Sequence, residues 1–348
     1  MRRVVRVAEH IDRTYPLVTV VIPTRNRRAL LSEAIESVRR QTYPNWELIV
    51  VDDCSEDDTW RWLTSLSDGR VQPFRMEYPS ERSHARNKGL TEAKGQFVLF
   101  LDDDDLLDPR AIETLLQGLV RAPWADVSIG YVQPFGDGLQ ELGWFAWVSK
   151  GWVGPLYQHF DALDWAITGR MLWRKSILDG MTFDPELVPC EDLDLILRLL
   201  EIHPNLCAVF LPQVVLWHRV HAFQSRWQMP ENKFWAQSAR IVRKKWESIR
   251  SAHAEWAHLY SASLLLHEAR RLAFMSCRTG AVSHLFKALK LDRRLIQLPI
   301  WRKLVVRVAL DIALPSCVRS LLALTVKRMR AVAGNVRAKK VKGSCHKG

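Results

Sequence analysis

A doubly wound α/β domain on a mostly parallel sheet, followed by a C-terminal helical region, is the fold class this sequence predicts. Three observations point to it. Short β-branched apolar runs alternate with helix-period segments between residues 17 and 131, the pattern of a sheet covered by helices. A chain of 348 residues is long enough for one large α/β domain with a helical appendix, or for two smaller domains. Polar clusters also stand where three of the runs end, as they do when parallel strands deliver side chains to one edge.

The first run covers residues 17–22 and precedes a helix whose Leu31, Ala34, Ile35 and Val38 share one face. The second covers 46–51, with a short helix over 59–66 behind it. Residues 71–76 read as a weaker third strand and 97–101 as a strong fourth, closed by Asp102. Pro109 opens a helix through Val120, a first-turn place that suits a residue without an N–H. A fifth strand is read at 127–131. Residues 135–167, rich in Trp and Gly, read as a long functional loop or an irregular sheet edge. A helix over 191–202 buries Leu193, Ile196, Leu197 and Leu200, a strand candidate follows at 207–211, and a polar-aromatic stretch covers 217–227. The expected division is an N-terminal extension 1–16, an α/β domain 17–230, a basic helical region 231–333 and a disordered basic tail 334–348.

The net charge of +12 implies a polyanionic or anionic-surface partner: nucleic acid, a phosphorylated ligand or lipid headgroups. Six cysteines without close pairing fit neither zinc nor redox motifs and suggest a reducing compartment. Arg6, Glu9, His10 and Asp12 interrupt what would be the apolar core of a signal peptide, so no export signal is expected. No window offers the roughly 20 apolar residues of a membrane span. Between Pro299 and Pro315, Trp301, Leu304, Val305, Val308 and Ile312 interleave with Arg302, Lys303 and Arg307. Such a helix either lies on an anionic membrane surface or packs on the α/β domain. The expected location is cytoplasmic, with the inner face of the cell membrane as the surface available to it.

Arg25 and Asn26 follow the first strand, Asp52 and Asp53 end the second, and Asp102, Asp103, Asp104 and Asp105 end the fourth. All lie at carboxyl ends, where an open parallel sheet binds ligands. Four consecutive carboxylates repel one another at a buried strand end unless a cation neutralises them, and their hard oxygens suit Mg2+ or Mn2+. The alternative is a solvated acidic turn before the helix at Pro109.

Five motifs now stand in order: Val20-Val21-Ile22-Pro23-Thr24-Arg25-Asn26, Val50-Val51-Asp52-Asp53-Cys54-Ser55, Ala85-Arg86-Asn87-Lys88-Gly89, Phe100-Leu101-Asp102-Asp103-Asp104-Asp105 and Glu191-Asp192-Leu193-Asp194-Leu195. Together they resemble the successive motifs of the family 2 glycosyltransferases, over residues 17–227. The resemblance implies the nucleotide-binding GT-A fold and a reaction that inverts the anomeric configuration. It places Pro23, Arg25, Asp52 and Asp53 at the nucleoside, Arg86 at the diphosphate, and Asp102, Asp103 and Asp104 at metal and ribose, with Asp102-x-Asp104 and Asp103-x-Asp105 as two overlapping registers. It assigns Asp192 as the base that takes the acceptor proton, with Glu191 orienting it or binding acceptor. It puts His221 near the diphosphate or metal, and Trp144, Trp147, Trp152 and Trp165 in the acceptor pocket, where rings stack on sugar faces. A packing role is the simpler reading of Pro23 and of each Trp, turn capping of Asp52, and an ion pair of Arg86. Arg25 departs from a common tyrosine, Cys54 and Asp58 from common glycines, and Pro189-Cys190 from a glycine. Gln224-Ser225-Arg226-Trp227 is one residue short of the Gln-x-x-Arg-Trp signature of processive synthases.

The implied function is metal-dependent transfer of a sugar from a nucleotide diphosphate, UDP by default, to a glycan or lipid-linked acceptor hydroxyl in surface polysaccharide synthesis. No nucleic-acid partner is expected, and the oligomeric state is not read from the sequence. Two rivals come from other classes. A nucleic-acid-binding protein fits the charge but not an acidic crevice, and an aspartyl-nucleophile phosphatase matches Asp102-x-Asp104 but expects it on an early strand. A dinucleotide dehydrogenase lacks its glycine fingerprint.

Overall fold

The computed structural model describes residues 15–136, 152–155, 168–185, 191–220, 277–297 and 299–313, together with Ala262, Leu265, Leu266, Ala269, Leu272 and Ala273. The chain divides into two compact units, Met1–Phe234 and Trp235–Gly348.

In the first unit, β1 (Val18–Thr24), β2 (Trp46–Asp52), β3 (Val71–Arg75) and β4 (Phe97–Phe100) form the parallel half of the sheet, in the order β3-β2-β1-β4. β1 and β2 are buried along their whole lengths, which is why their apolar runs do not alternate. Pro73 sits in β3, at the edge of the sheet, where a missing N–H is tolerated. The helices α1 (Arg28–Arg39), α2 (Thr59–Thr64) and α3 (Glu81–Glu92) accompany this half, whereas α4 (Ala111–Arg121) packs on the strands beyond β4. α1 buries Leu31, Ala34, Ile35 and Val38, the four residues its spacing marks. α4 starts two residues after Pro109; the Pro109 carbonyl accepts a hydrogen bond from the Thr42 N–H at 2.9 Å.

Beyond β4 the sheet is mixed rather than mostly parallel. β5 (Leu106–Leu107), β6 (Val127–Phe135), β7 (Trp152–Pro155), β8 (Met171–Arg174) and β9 (Cys207–Arg219) continue it as β4-β8-β6-β9-β5, with β7 on β9. β8 is antiparallel to both β4 and β6, whereas β6 and β9 are parallel. β6 runs four residues beyond its predicted end, and α3, β5, β8 and β9 also depart from the periodicity reading. α3 has almost no apolar face; it buries Ser83, Ala85, Arg86 and Gly89, and small residues bring it close to the sheet instead. A Cβ on Gly89 would lie 2.3 Å from Val21 Cγ1, so glycine is what lets helix and strand approach. β5 is too short, and β8 too near the irregular Trp-rich stretch, to carry a period of their own. β9 extends eight residues beyond the predicted strand end, past the exposed Pro212 and Gln213 into a second buried pair, Val215 and Leu216.

α5 (Glu191–Ile202) opens with Glu191, Asp192 and Asp194 in its first turn, the end where a helix dipole favours carboxylates. In the second unit, α6 (Arg278–Leu291), α7 (Arg294–Gln297) and α8 (Pro299–Ala313) are helical, and α8 coincides with the interleaved apolar and basic stretch. Val308 of α8 is buried, while Val306 and Leu310 are exposed. Among the described residues no helix is long and apolar enough to cross a membrane.

Candidate active site

The order β3-β2-β1-β4 reverses direction at β1; successive crossovers build outward from it on both sides, which opens a crevice beside its carboxyl end. Thr24 ends β1 and residues 102–105 follow β4 at this place. Thr24 Oγ1 donates to Asp103 at 2.7 Å. Arg27, just before α1, places one nitrogen 3.0 Å from Asp103 and 3.0 Å from Asp104. Burial alone would lower the Arg27 pKa, but the two aspartates hold it up.

Each of the four aspartates meets a different set of partners. Asp102 accepts from Arg86 Nη2 at 2.6 Å, and 36% of its side chain is exposed. Asp105 is sealed: it accepts from the Arg219 N–H at 2.8 Å and lies 3.0 Å from His218 Nδ1, both on β9. Burial pushes Asp105 up to about 6 against the opposing His218, and pushes Asp103 up to about 7 against Arg27. Carboxylates held above their ordinary range by burial are groups that a cation would restore. Oxygens of Asp102, Asp104 and Asp105 lie within 4.8 Å of one another, an all-oxygen set that fits Mg2+ or Mn2+. The sequence offers Asp105 only through the second register, and it does not mark Arg27 or His218. The run Thr24-Arg25-Asn26-Arg27 and the pair Trp217-His218, both polar strand ends in a chain with an acidic cluster, were the available signals.

Arg86 crosses the site. Projecting from α3 and 2% exposed, it donates one arm to Asp102 and the other to Glu191 at 2.8 Å. Burial would lower its pKa, but Asp102, Glu191 and Asp192 outweigh that and raise it. Arg82 stands 3.6 Å from Glu191 on the same helix. Both ends of the Arg86 fork are therefore engaged by protein carboxylates, the ion-pair arrangement. Asp192 is half-buried beside Glu191. Asp194 lies elsewhere on α5, paired with Arg198 at 2.7 Å.

At the β1–β2 side, the buried Pro23 lies opposite Val51 within the sheet. Arg25 is half-buried, 3.7 Å from the exposed Glu56. Asp52 accepts from the Ser55 N–H at 3.1 Å, a turn cap, with Arg75 at 3.4 Å. Asp53 holds the start of α3: one oxygen accepts from the Ser80 N–H at 2.7 Å and its hydroxyl at 3.0 Å, the other from the Glu81 N–H at 3.0 Å. Trp152 begins β7, its backbone opposite Phe210. Trp144, Trp147, Trp165 and His221 lie outside the described residues.

Comparison with known proteins agrees with this architecture. Residues 19–147 match the model for glycosyl transferase family 2. The chain is 39% identical over 129 residues to a GalNAc(5)-diNAcBac-PP-undecaprenol beta-1,3-glucosyltransferase of Campylobacter jejuni, a match covering 36% of this chain and 39% of that protein. It is 37% identical over 105 residues to a UDP-Glc:alpha-D-GlcNAc-diphosphoundecaprenol beta-1,3-glucosyltransferase of Escherichia coli, covering 30% of this chain and 42% of that protein. The matches thus span about two fifths of those relatives' lengths. Among solved structures, S. aureus TarS 1-349 in complex with UDP-GlcNAc aligns with a TM-score of 0.58 at 18% identity, over 85% of this chain and 81% of that one. That likeness establishes a GT-A type fold. The switch-point crevice and the acidic strand end both lie within residues 19–147, the part of this chain that matches glycosyl transferase family 2.

Proposed function

We propose that the chain transfers a sugar from a nucleotide diphosphate, UDP in the first instance, to a hydroxyl of a lipid-linked glycan acceptor, with inversion, in surface polysaccharide synthesis. The observation that carries this reading is the gathering of carboxylates from separate elements at one edge: Arg27 draws in Asp103 and Asp104, and Arg86 joins Asp102 to Glu191 at the head of α5. The named relatives are glucosyltransferases acting on diphosphoundecaprenol-linked acceptors, a UDP-GlcNAc complex is known for the TarS neighbour, and a Pyrobaculum calidifontis mannosyltransferase of similar fold is seen with GDP-Man and Mn2+. These support a nucleotide-sugar donor, a divalent ion and a lipid-linked acceptor here.

Asp102, Asp104 and Asp105 would hold Mn2+ or Mg2+, which when bound offsets the charge that grows on the departing diphosphate. Asp102 is the most open of these carboxylates and the one placed to meet ligand as well. Asp192 takes the proton of the acceptor hydroxyl as it attacks the anomeric carbon from the face opposite the diphosphate. Glu191, held by Arg86, fixes the first turn of α5 and so the place of Asp192. Pro23, Arg25, Asp52 and Asp53 shape the nucleoside side, Asp53 by anchoring α3 as well as by its remaining lone pairs. The basic, amphipathic α8 is the segment suited to an anionic membrane surface.

The test is a transfer assay on the full chain with UDP-glucose and UDP-GlcNAc, a prenyl-diphosphate-linked GlcNAc acceptor, and Mn2+ or EDTA. Release of UDP matched by a β-linked product, in Mn2+ alone, supports the proposal. Release of inorganic phosphate from a trapped phospho-aspartate at Asp102 would favour the phosphatase reading instead.

A further inference from the structure

The 3-10 turn Thr168–Arg170 enters β8 and is wholly buried. Its last residue, Arg170, is 8% exposed. Among the described residues it makes no ion pair, and its Nε is sealed from solvent with no hydrogen-bond partner. A guanidinium buried without a carboxylate costs the fold stability rather than adding to it. Burial pushes this one down to about 10, with the Tyr131 phenol opposing the shift.

Its position is informative. β8 runs antiparallel to β4, with Trp173 opposite Val98, so the chain entering β8 lies beside the end of β4 from which the acidic run departs. A Cβ on the adjacent Gly169 would sit 3.5 Å from the Phe100 carbonyl oxygen. The carboxylates that follow β4 are engaged by other groups: Asp102 by Arg86, Asp103 and Asp104 by Arg27, and Asp105 by His218 and the Arg219 N–H. Among the described residues, then, no carboxylate answers the charge of Arg170, which suits it to an anion from outside.

We propose that Arg170 is a binding residue for diphosphate oxygens of a ligand entering the carboxyl edge of the sheet. The planar fork of a guanidinium matches such oxygens, and its low hydration suits a buried place. This rests on the glycosyltransferase reading, which offers two sources of the same chemistry: the nucleotide diphosphate of the donor and the diphosphate of a lipid-linked acceptor.

The experiment compares the full-length wild type, Arg170→Met and Arg170→Lys by thermal-shift titration in Mn2+. The probes are UDP against uridine for the donor, and a short-chain prenyl diphosphate against its prenol for the acceptor. Arg170→Met is expected to weaken one of the two diphosphates by about tenfold or more, to leave the phosphate-free counterpart unchanged, and to melt without ligand no lower than wild type, because an apolar side chain of similar length replaces an unpaired buried charge. Arg170→Lys should fall between. Loss confined to UDP assigns the donor, and loss confined to the prenyl diphosphate assigns the acceptor. Equal diphosphate affinities in wild type and Arg170→Met, or a lower melting temperature with affinities unchanged, would overturn the inference. A wild type that ignores UDP would instead sink the glycosyltransferase reading itself.

Discussion

Arg86 donates to Glu191 at 2.8 Å across 105 residues of sequence, and through its other arm ties that glutamate to Asp102 at the end of β4. One buried guanidinium therefore sets the distance between the strand that carries the acidic run and the helix that carries Asp192. Removing it takes from both carboxylates their nearest counter-charge and leaves Glu191 only the more distant Arg82 at 3.6 Å. Arg86→Met should cost about 3–5 kcal/mol of stability, read as a lower urea midpoint, with Arg86→Lys recovering part of it. The pH profile of transfer should also move in Arg86→Lys, because the base beside Glu191 loses its fixed setting; an unchanged profile would reduce Arg86 to scaffolding.

Asp103 and Asp105 give the metal-free protein a characteristic pH response. Both folded pKa values lie above the ordinary carboxylate value, at about 7 and about 6. Their contribution to stability is thus complete below the unfolded value and is lost as pH rises through the folded ones. The melting temperature in EDTA should fall as pH is raised through this window. Mn2+ should recover it more at the alkaline end, since ligands must be deprotonated. Asp103→Asn should make the slope shallower, and a slope of the opposite sign would refute the assignment.

Gly89 is a packing site. A methyl group at this position would meet Val21 Cγ1 at only 2.3 Å, so Gly89→Ala forces α3 away from β1 at a cost of about 1–3 kcal/mol. Because α3 carries Arg86, transfer should fall along with the denaturation midpoint.

Asp53 should prove to have a ligand-independent role. Its oxygens hold the backbone at Ser80 and Glu81, so Asp53→Ala should lower stability by about 1 kcal/mol or more without any nucleotide present. Equal stability of the variant and wild type in a urea titration would leave base recognition as its whole function.

The parallel half of the fold was legible because β1, β2 and β4 are buried on both faces and therefore read as unbroken apolar runs. α1 was legible through its apolar period, and α4 through Pro109, two residues ahead of its start. α3 was not, because it meets the sheet through Gly89, Ala85 and a buried ion pair rather than an apolar stripe. β8 escaped because four residues hold no period, and with it went the antiparallel pairing that makes the sheet mixed. In the site, the motif order named Asp102, Asp104, Glu191 and Asp192, but not their cross-links. The sequence offered Arg86 both a diphosphate and an ion pair, but not Glu191 as a partner, because that strand end and that distant helix meet only in three dimensions. Arg27 and His218 were hidden for the same reason.

The central claim is that the acidic run holds a divalent ion for a nucleotide diphosphate while Asp192 serves the acceptor. Calorimetric titration of UDP into wild type, Asp104→Asn and Asp192→Asn, each in Mn2+ and in EDTA, tests it most directly. The account predicts binding to wild type and Asp192→Asn in Mn2+ alone, none to Asp104→Asn, and no sugar transfer by Asp192→Asn. Equal UDP affinity in EDTA, or undiminished affinity in Asp104→Asn, would contradict it.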